Sequence, residues 1–231
     1  MSNGKSKYIH YGYGLVMLSK DTAKLFGIED KEVVRMSGRK GIYINVDNLL
    51  EKAIEIAKKK IAERHTNMPK KELETLAFKI ARSTISFEIL KYDRNKTVVF
   101  DLERMTNIEE GNALYLMYTY ARIRSLLEKS GIKDFEKYAK GIEDLNDYER
   151  KLLKVMFLFK DIILETSSNL ELNLLAEYSL KLARTFNEFY QNVPILPELD
   201  KKPYRIFLAY LTKQILEKLF YILKIDEVSK I

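Results

Sequence analysis

A chain of 231 residues that is 46% hydrophobic and 32% charged can bury a sizeable core and still keep a charged surface in water. The lack of any cysteine excludes disulfides, thiol chemistry and thiolate-bound metal, and two histidines, His10 and His65, are too few for an imidazole metal site. A net charge of +7 favours polyanionic partners, and no apolar run approaches the roughly 18 residues of a membrane span, so no membrane and no cofactor are expected.

Tyr8 to Leu18, YIHYGYGLVML, is rich in aromatic and aliphatic residues and reads as a strand, its glycines hinting at a bulge or a close backbone approach. Glu32 to Arg35 reads as a short second strand, and after the loop Met36 to Gly41 a third apolar piece covers Ile42 to Ile44. Asn45 can cap a helix whose stripe is Leu49, Leu50, Ala53, Ile54, Ile56 and Ala57. That helix is expected to end in the basic turn Lys58-Lys59-Lys60, which suits the negative end of the helix dipole. Pro69 fits a first helical position for a helix toward Ala81, with a separate helix over Thr84 to Lys91 and a turn at Asp93-Arg94-Asn95. Asn112 to Lys129 predicts a long helix closed by Ser130-Gly131. Asn146 followed three residues later by Glu149 has the pattern of a capping box for a helix through about Glu165. Asn169 is expected to cap a helix reaching Tyr190, and Pro203 to start a last helix ending near Leu223. The fold class is therefore mainly α: an antiparallel helical bundle with a small N-terminal β/loop segment.

Three blocks, in this order, resemble the arginyl-tRNA synthetase family. The first is Tyr11-Gly12-Tyr13-Gly14-Leu15-Val16 with the loop Arg35-Met36-Ser37-Gly38-Arg39-Lys40-Gly41, similar to the class I signature loop in its arginyl variant, KMSxRKG. The second is Phe100-Asp101-Leu102-Glu103, Glu110-Gly111-Asn112 and the run Tyr115 to Ile123, similar to FDxE…EGN…YxQYAxAR. The third is Leu175 to Ala183, Phe186-Asn187-Glu188-Phe189-Tyr190 and Val193 to Leu196, similar to hLAxYLxxLAxxFNxFYxxxxVL. The resemblance implies a remnant of the end of a catalytic domain over 1–45, a helical connecting region over 46–95 that approaches the tRNA stem, and a DALR-type anticodon-binding bundle over 96–231. It departs from the family pattern at Arg35, at Met117 in place of a glutamine, and at Leu172-Asn173 in place of a proline-histidine pair. No tract matches the HIGH-type motif, so the chain is expected to be a non-catalytic paralogue.

Charge supports a nucleic-acid role from a different direction. Residues 1–70 hold 14 Lys and Arg against 8 Asp and Glu, whereas 71–146 hold 13 against 13 and 147–231 hold 13 against 12. A thermophile-like Lys/Glu-rich surface would have a similar composition. The basic start, MSNGKSK, is followed by no apolar signal region, and a cytoplasmic location is expected.

The candidate RNA-binding residues are Arg35, Arg39, Lys40, Lys58, Lys59 and Lys60 in the first region, and Arg122, Arg124, Asn187 and Tyr190 in the bundle; no catalytic or metal-binding residue is assigned. Arginines and lysines neutralise phosphates without reading sequence, whereas an amide and a ring three residues apart on one helix face can bond and stack an unpaired base. The competing readings stay open: a solvated helix end for Lys58 to Lys60, an ion pair with Asp101 for Arg122, and a buried amide between helices for Asn187. The expected partner is tRNA or another structured RNA, with the protein as adaptor, chaperone or regulator. The alternatives are a subunit whose orphan N-terminal strand docks on a protein partner (a modification enzyme, the ribosome or the replication machinery) and the C-terminal half of a split synthetase.

Overall fold

The computed structural model describes residues 8–28, 33–35, 44–108, 111–139, 142, 144–199 and 201–229, with only the backbone of 33–35. Most of these residues are helical, around one small sheet. In chain order the elements are β1 (Val16–Ser19), α1 (Lys20–Lys24), β2 (Val33–Arg35), α2 (Val46–Arg64), α3 (Lys70–Leu90), β3 (Val98–Phe100), α4 (Leu102–Met105), α5 (Ala113–Lys129), a 3-10 turn over Glu136–Tyr138, α6 (Asp147–Phe157), α7 (Phe159–Asn169), α8 (Leu172–Asn192) and α9 (Tyr204–Leu223).

The expected orphan strand has neighbours on both sides. Of the strand expected over Tyr8 to Leu18 only Val16 to Leu18 is a strand, within β1, which lies in the middle of a sheet of order β2-β1-β3, antiparallel to β2 and parallel to β3. The Ile42 to Ile44 piece falls largely outside the described residues. The second neighbour of β1 is Val98-Val99-Phe100, a β-branched and aromatic run that was not expected as a strand, shortly after the Asp93-Arg94-Asn95 turn. Gly14 shows why a glycine precedes β1. Its N–H donates to the Arg94 carbonyl at 2.6 Å, and a Cβ there would lie 2.2 Å from the Lys96 carbonyl oxygen.

The helix starts follow their caps. Asn45, Asn112 and Asn146 each accept from a backbone N–H of the following turn, and Glu149 completes the capping box at Asn146. Other boundaries differ from expectation for packing reasons. α2 runs on to Arg64, because Ile61 is buried and extends the stripe one more turn, so Lys58 to Lys60 lie inside the helix rather than at its end. The two helices expected after Pro69 are one, α3, in which the buried Thr84 hydroxyl donates to the Ile80 carbonyl and leaves the ladder unbroken. The helix expected from Asn146 to Glu165 instead turns at Leu158 into α7. Asn169 ends α7, and Leu170 reverses the chain in the left-handed region (φ 58°).

Two buried clusters result. The smaller joins the sheet to α2 and α3 through Leu18, Leu49, Ala53, Ile85, Val98 and Phe100. The larger is the core of the bundle, α5 with α6, α8 and α9, and it continues onto α2 and α3 through Ala57, Ile61, Leu76, Ala77 and Ile80. Among the described residues no helix is long and apolar enough to cross a membrane.

Candidate nucleic-acid interface

Helix α5 presents Tyr115, Tyr118, Thr119 and Arg122 to α8, the spacing of three and four that puts residues on one helical face. From α8, Asn187 and Tyr190 meet them. The Arg122 guanidinium donates to Asn187 Oδ1 at 2.7 Å and to the Tyr118 hydroxyl at 3.0 Å. Its carbon sits 4.8 Å from the centre of the Tyr118 ring and 5.1 Å from that of Tyr190, so the cation lies against two aromatic faces. Asn187 is buried and its two amide hydrogens go to the Tyr115 hydroxyl and Thr119 Oγ1, both at 2.9 Å.

This arrangement corrects two expectations. Asn187 holds Arg122 in place and has no free N–H for a base edge, because both donors are already used. Arg122 pairs with Asn187 and Tyr118 and not with Asp101, whose carboxylate instead caps α4 by accepting from the Arg104 N–H at 3.0 Å. Tyr190 is 38% exposed. Met117, the departure from the family's glutamine, is fully buried in the bundle core, where an apolar side chain is the better fit.

Arg122 and Tyr190 open onto a cleft of about 410 Å³ that is also lined by Tyr118, Lys129, His65 and Ser229. Among the described residues, no aspartate or glutamate lines it. A concave surface whose described lining has two cations and two phenol rings suits a nucleotide: phosphate against the cations, base against a ring. Three N–H donors of Arg122 have no partner among the described residues, which leaves capacity for a phosphate.

The other candidates are scattered. Arg124 lies outside the cleft and pairs with Glu128 one turn on, at 3.3 Å. Lys60 is committed to the structure: its ammonium reaches the Glu103 carbonyl, Thr106 Oγ1, Asn107 Oδ1 and the Glu103 carboxylate, all within 3.0 Å. Lys58 stands 3.9 Å from Glu74, a loose surface pair, and Lys59 is exposed. Arg39 and Lys40 fall outside the described residues, and of Arg35 only the backbone, the end of β2, is described. Lys129 and His65 were missed from sequence. Lys129 lies seven residues, two helical turns, beyond Arg122 and was findable by spacing. His65 comes from another element and had no local signal.

Residues 116–231 match the family model for the DALR anticodon binding domain. Residues 9–102 match the model for the catalytic domain of the class I (R) tRNA synthetases. The chain thus combines a helical bundle of the DALR anticodon-binding family with a segment that matches part of a class I catalytic domain. The chain is 31% identical over 205 residues to an arginine–tRNA ligase of Pyrococcus furiosus, which covers 85% of this chain and 33% of that protein. It is 33% identical over 193 residues to arginine–tRNA ligase 1 of Bacillus cereus, covering 84% and 34%. In structure it is similar to the arginyl-tRNA synthetase of Thermus thermophilus, with a TM-score of 0.77 at 24% identity, over 95% of this chain and 35% of that one. The Plasmodium falciparum enzyme superposes with a TM-score of 0.72 at 28% identity, over 81% and 34%. The chain belongs to the class I arginyl-tRNA synthetase family. It spans about a third of the length of the curated relatives it matches.

Proposed function

We propose that these 231 residues act as a tRNA-binding module that does not by itself activate an amino acid, serving as an adaptor, chaperone or regulator of tRNA. The observation that carries this reading is Arg122, held between the Tyr118 and Tyr190 rings in a cleft of the DALR-matching bundle that no carboxylate lines among the described residues. The basic surplus of residues 1–70 supplies a sequence-independent field that draws the polyanion in. Of the other candidate contacts, Lys59 and Tyr190 are exposed enough to reach RNA directly. The division into 1–45, 46–95 and 96–231 and a cytoplasmic location belong to the same reading.

Titration of fluorescently labelled tRNA at low salt tests it. The intact chain is expected to bind, and Arg122→Gln to bind more weakly with a shallower dependence on salt. Equal binding by wild type and variant would refute the assignment of the cleft. Arginine-dependent ATP–pyrophosphate exchange at background level is the expected result for the second half of the proposal, and turnover would refute it.

A second reading is favoured by the N-terminal segment, where Tyr8 is 94% and Tyr13 85% exposed, with Ile9 and Leu15 also largely uncovered. Large apolar side chains in such a row suit a protein surface rather than water. On this reading the chain is a subunit, and its partner is a modification enzyme, a ribosomal or replication component, or a separate chain carrying the rest of a synthetase catalytic domain. A stoichiometric partner whose capture is lost with Tyr8→Ser and Tyr13→Ser would support it, and unchanged capture would exclude this surface.

A further inference from the structure

We infer that residues 225–228, which leave α9 and cross α3, are a strap that fixes α3 on the bundle, so that both parts of the protein grip one RNA. The use of the strap, though not its geometry, rests on the tRNA-binding reading above. Lys224, in the left-handed region (φ 57°), turns the chain at the end of α9, and the Ile225 N–H donates to the Phe220 carbonyl at 2.9 Å. The Arg82 guanidinium then holds the Asp226 carboxylate by two N–H groups, Nε at 2.9 Å and Nη2 on the other oxygen. The Asp226 N–H donates to Oγ of the fully buried Ser83 at 2.8 Å, and Lys79 Nζ donates to the Glu227 carbonyl at 2.9 Å. The Glu227 carboxylate reaches α5 instead, with Oε2 2.8 Å from the Tyr120 hydroxyl. Ile225 and Val228, on either side of these contacts, are buried in the core of the bundle.

α3 rests on the bundle through Leu76, Ala77, Ile80 and Phe87, and on the sheet through Ala81 and Ile85. At about 100° per residue, Ala81 and Ile85 lie on one flank of the bundle-facing stripe, and Lys79, Arg82 and Ser83 on the other. Helices held only by packed side chains can slide and roll on one another in small steps. The sheet moves with α3, whereas the strap is anchored in the bundle at Ile225, Val228 and Tyr120, and so opposes a roll. It also joins the two family segments. α3 lies in the stretch that matches the catalytic-domain model, and residues 225–228 lie in the stretch that matches the anticodon-binding model. A tRNA drawn to the Arg122 cleft and to the basic residues 1–70 is gripped at two places, and two grips reinforce each other only when geometry lets both engage. The strap keeps that geometry.

The chain has no cysteine, so Glu63→Cys on α2 and Lys181→Cys on α8, both exposed, can carry a pair of spin labels across the two parts. Their distance distribution in the full chain is one measurement. The other is affinity for fluorescein-labelled tRNA and for a short RNA hairpin too small to reach beyond the cleft. Asp226→Ala and Arg82→Ala, the latter at a half-exposed side chain, are each expected to broaden the distribution. Each should weaken tRNA binding about three- to tenfold and leave hairpin binding unchanged. The exchanged pair, Arg82→Asp with Asp226→Arg, should restore both, which a general loss of stability would not do. An unbroadened distribution in both alanine variants overturns the strap. So does a broadened one with wild-type tRNA affinity, or an equal loss for tRNA and hairpin, which would place the damage in the cleft. A wild type that binds neither RNA overturns the tRNA reading and the use given to the strap, and the distances then decide by themselves whether it holds α3.

Discussion

Substitutions at Asn187 separate what the cleft contributes to stability from what it contributes to binding. In Asn187→Ala three hydrogen bonds go: the charge-assisted one from Arg122, worth about 1.5–3 kcal/mol, and two neutral ones worth about 1 kcal/mol each. Not all of that is lost. Tyr115 is half-buried and its hydroxyl can return to water, and Thr119 keeps its own bond to the Tyr115 carbonyl at 2.9 Å. A net loss of about 2–3 kcal/mol follows, chiefly from the unanchored guanidinium. Asn187→Asp keeps an acceptor for Arg122 and lets the Tyr115 hydroxyl donate to the second oxygen, so its cost should be smaller, about 1 kcal/mol. It also sets a full negative charge against Arg122 and cancels the field a phosphate would meet. The aspartate variant should therefore fold nearly as well as wild type yet bind tRNA more weakly, its salt slope shallower by about 0.7 to 0.9. Urea denaturation followed by circular dichroism gives the first quantity; anisotropy from about 50 to about 200 mM salt gives the second. Wild-type affinity and slope in Asn187→Asp would show that the charge of Arg122 is not what RNA meets. A loss below about 1 kcal/mol in Asn187→Ala would refute the buried network.

Glu149 is fully buried and accepts from Arg205 Nε at 2.6 Å, the Tyr204 hydroxyl at 3.1 Å and the Asn146 N–H at 2.8 Å, so Glu149→Gln strands a guanidinium that is only 8% exposed. The expected cost is about 3–5 kcal/mol, and Glu149→Leu with Arg205→Met should be the more stable variant, since it removes both charges together; urea midpoints in the opposite order would refute this. Gly14→Ala forces a methyl group into the Lys96 carbonyl, and amide hydrogen exchange at residue 14 should become much faster; undiminished protection there would show that the segment accommodates the group. Burial, first of all, raises the phenol pKa values of Tyr120, Tyr178 and Tyr204 above the ordinary value of 10, with nearby glutamates adding to the effect for Tyr120 and Tyr204. Because the folded state disfavours their ionisation, the stability they contribute is intact below pH 10 and is lost as pH climbs beyond it. Phenolate absorbance from these three rings should appear only together with loss of helical signal, and their titration in the folded protein would refute the argument.

How much could be read in the chain beforehand varies with the range of the forces involved. Asn45, Asn112 and Asn146 announced three helix starts correctly because a cap acts over three residues. Gly14 announced a close approach, though not the partner, which lies some eighty residues away at Arg94 to Lys96. Element ends were misjudged wherever packing outlasted local preference. α2 continued past its lysines to bury Ile61, and α3 ran through Ser83 and Thr84 because the bundle covered them.

For the site, sequence by itself supplied the residue types, the helical spacing that puts Tyr118 and Arg122 on one face, and the block order that carries the family. Those properties are local, or are set by spacing along one helix. Tertiary structure alone decided that Asn187 turns inward to grip Arg122, that Lys60 is spent on the α4 end, and that His65 arrives in the cleft from a helix outside the bundle. Each of these depends on which polar partner lies across an interface between helices. A buried donor takes whatever acceptor the fold sets before it, and no pattern along a single helix encodes that choice.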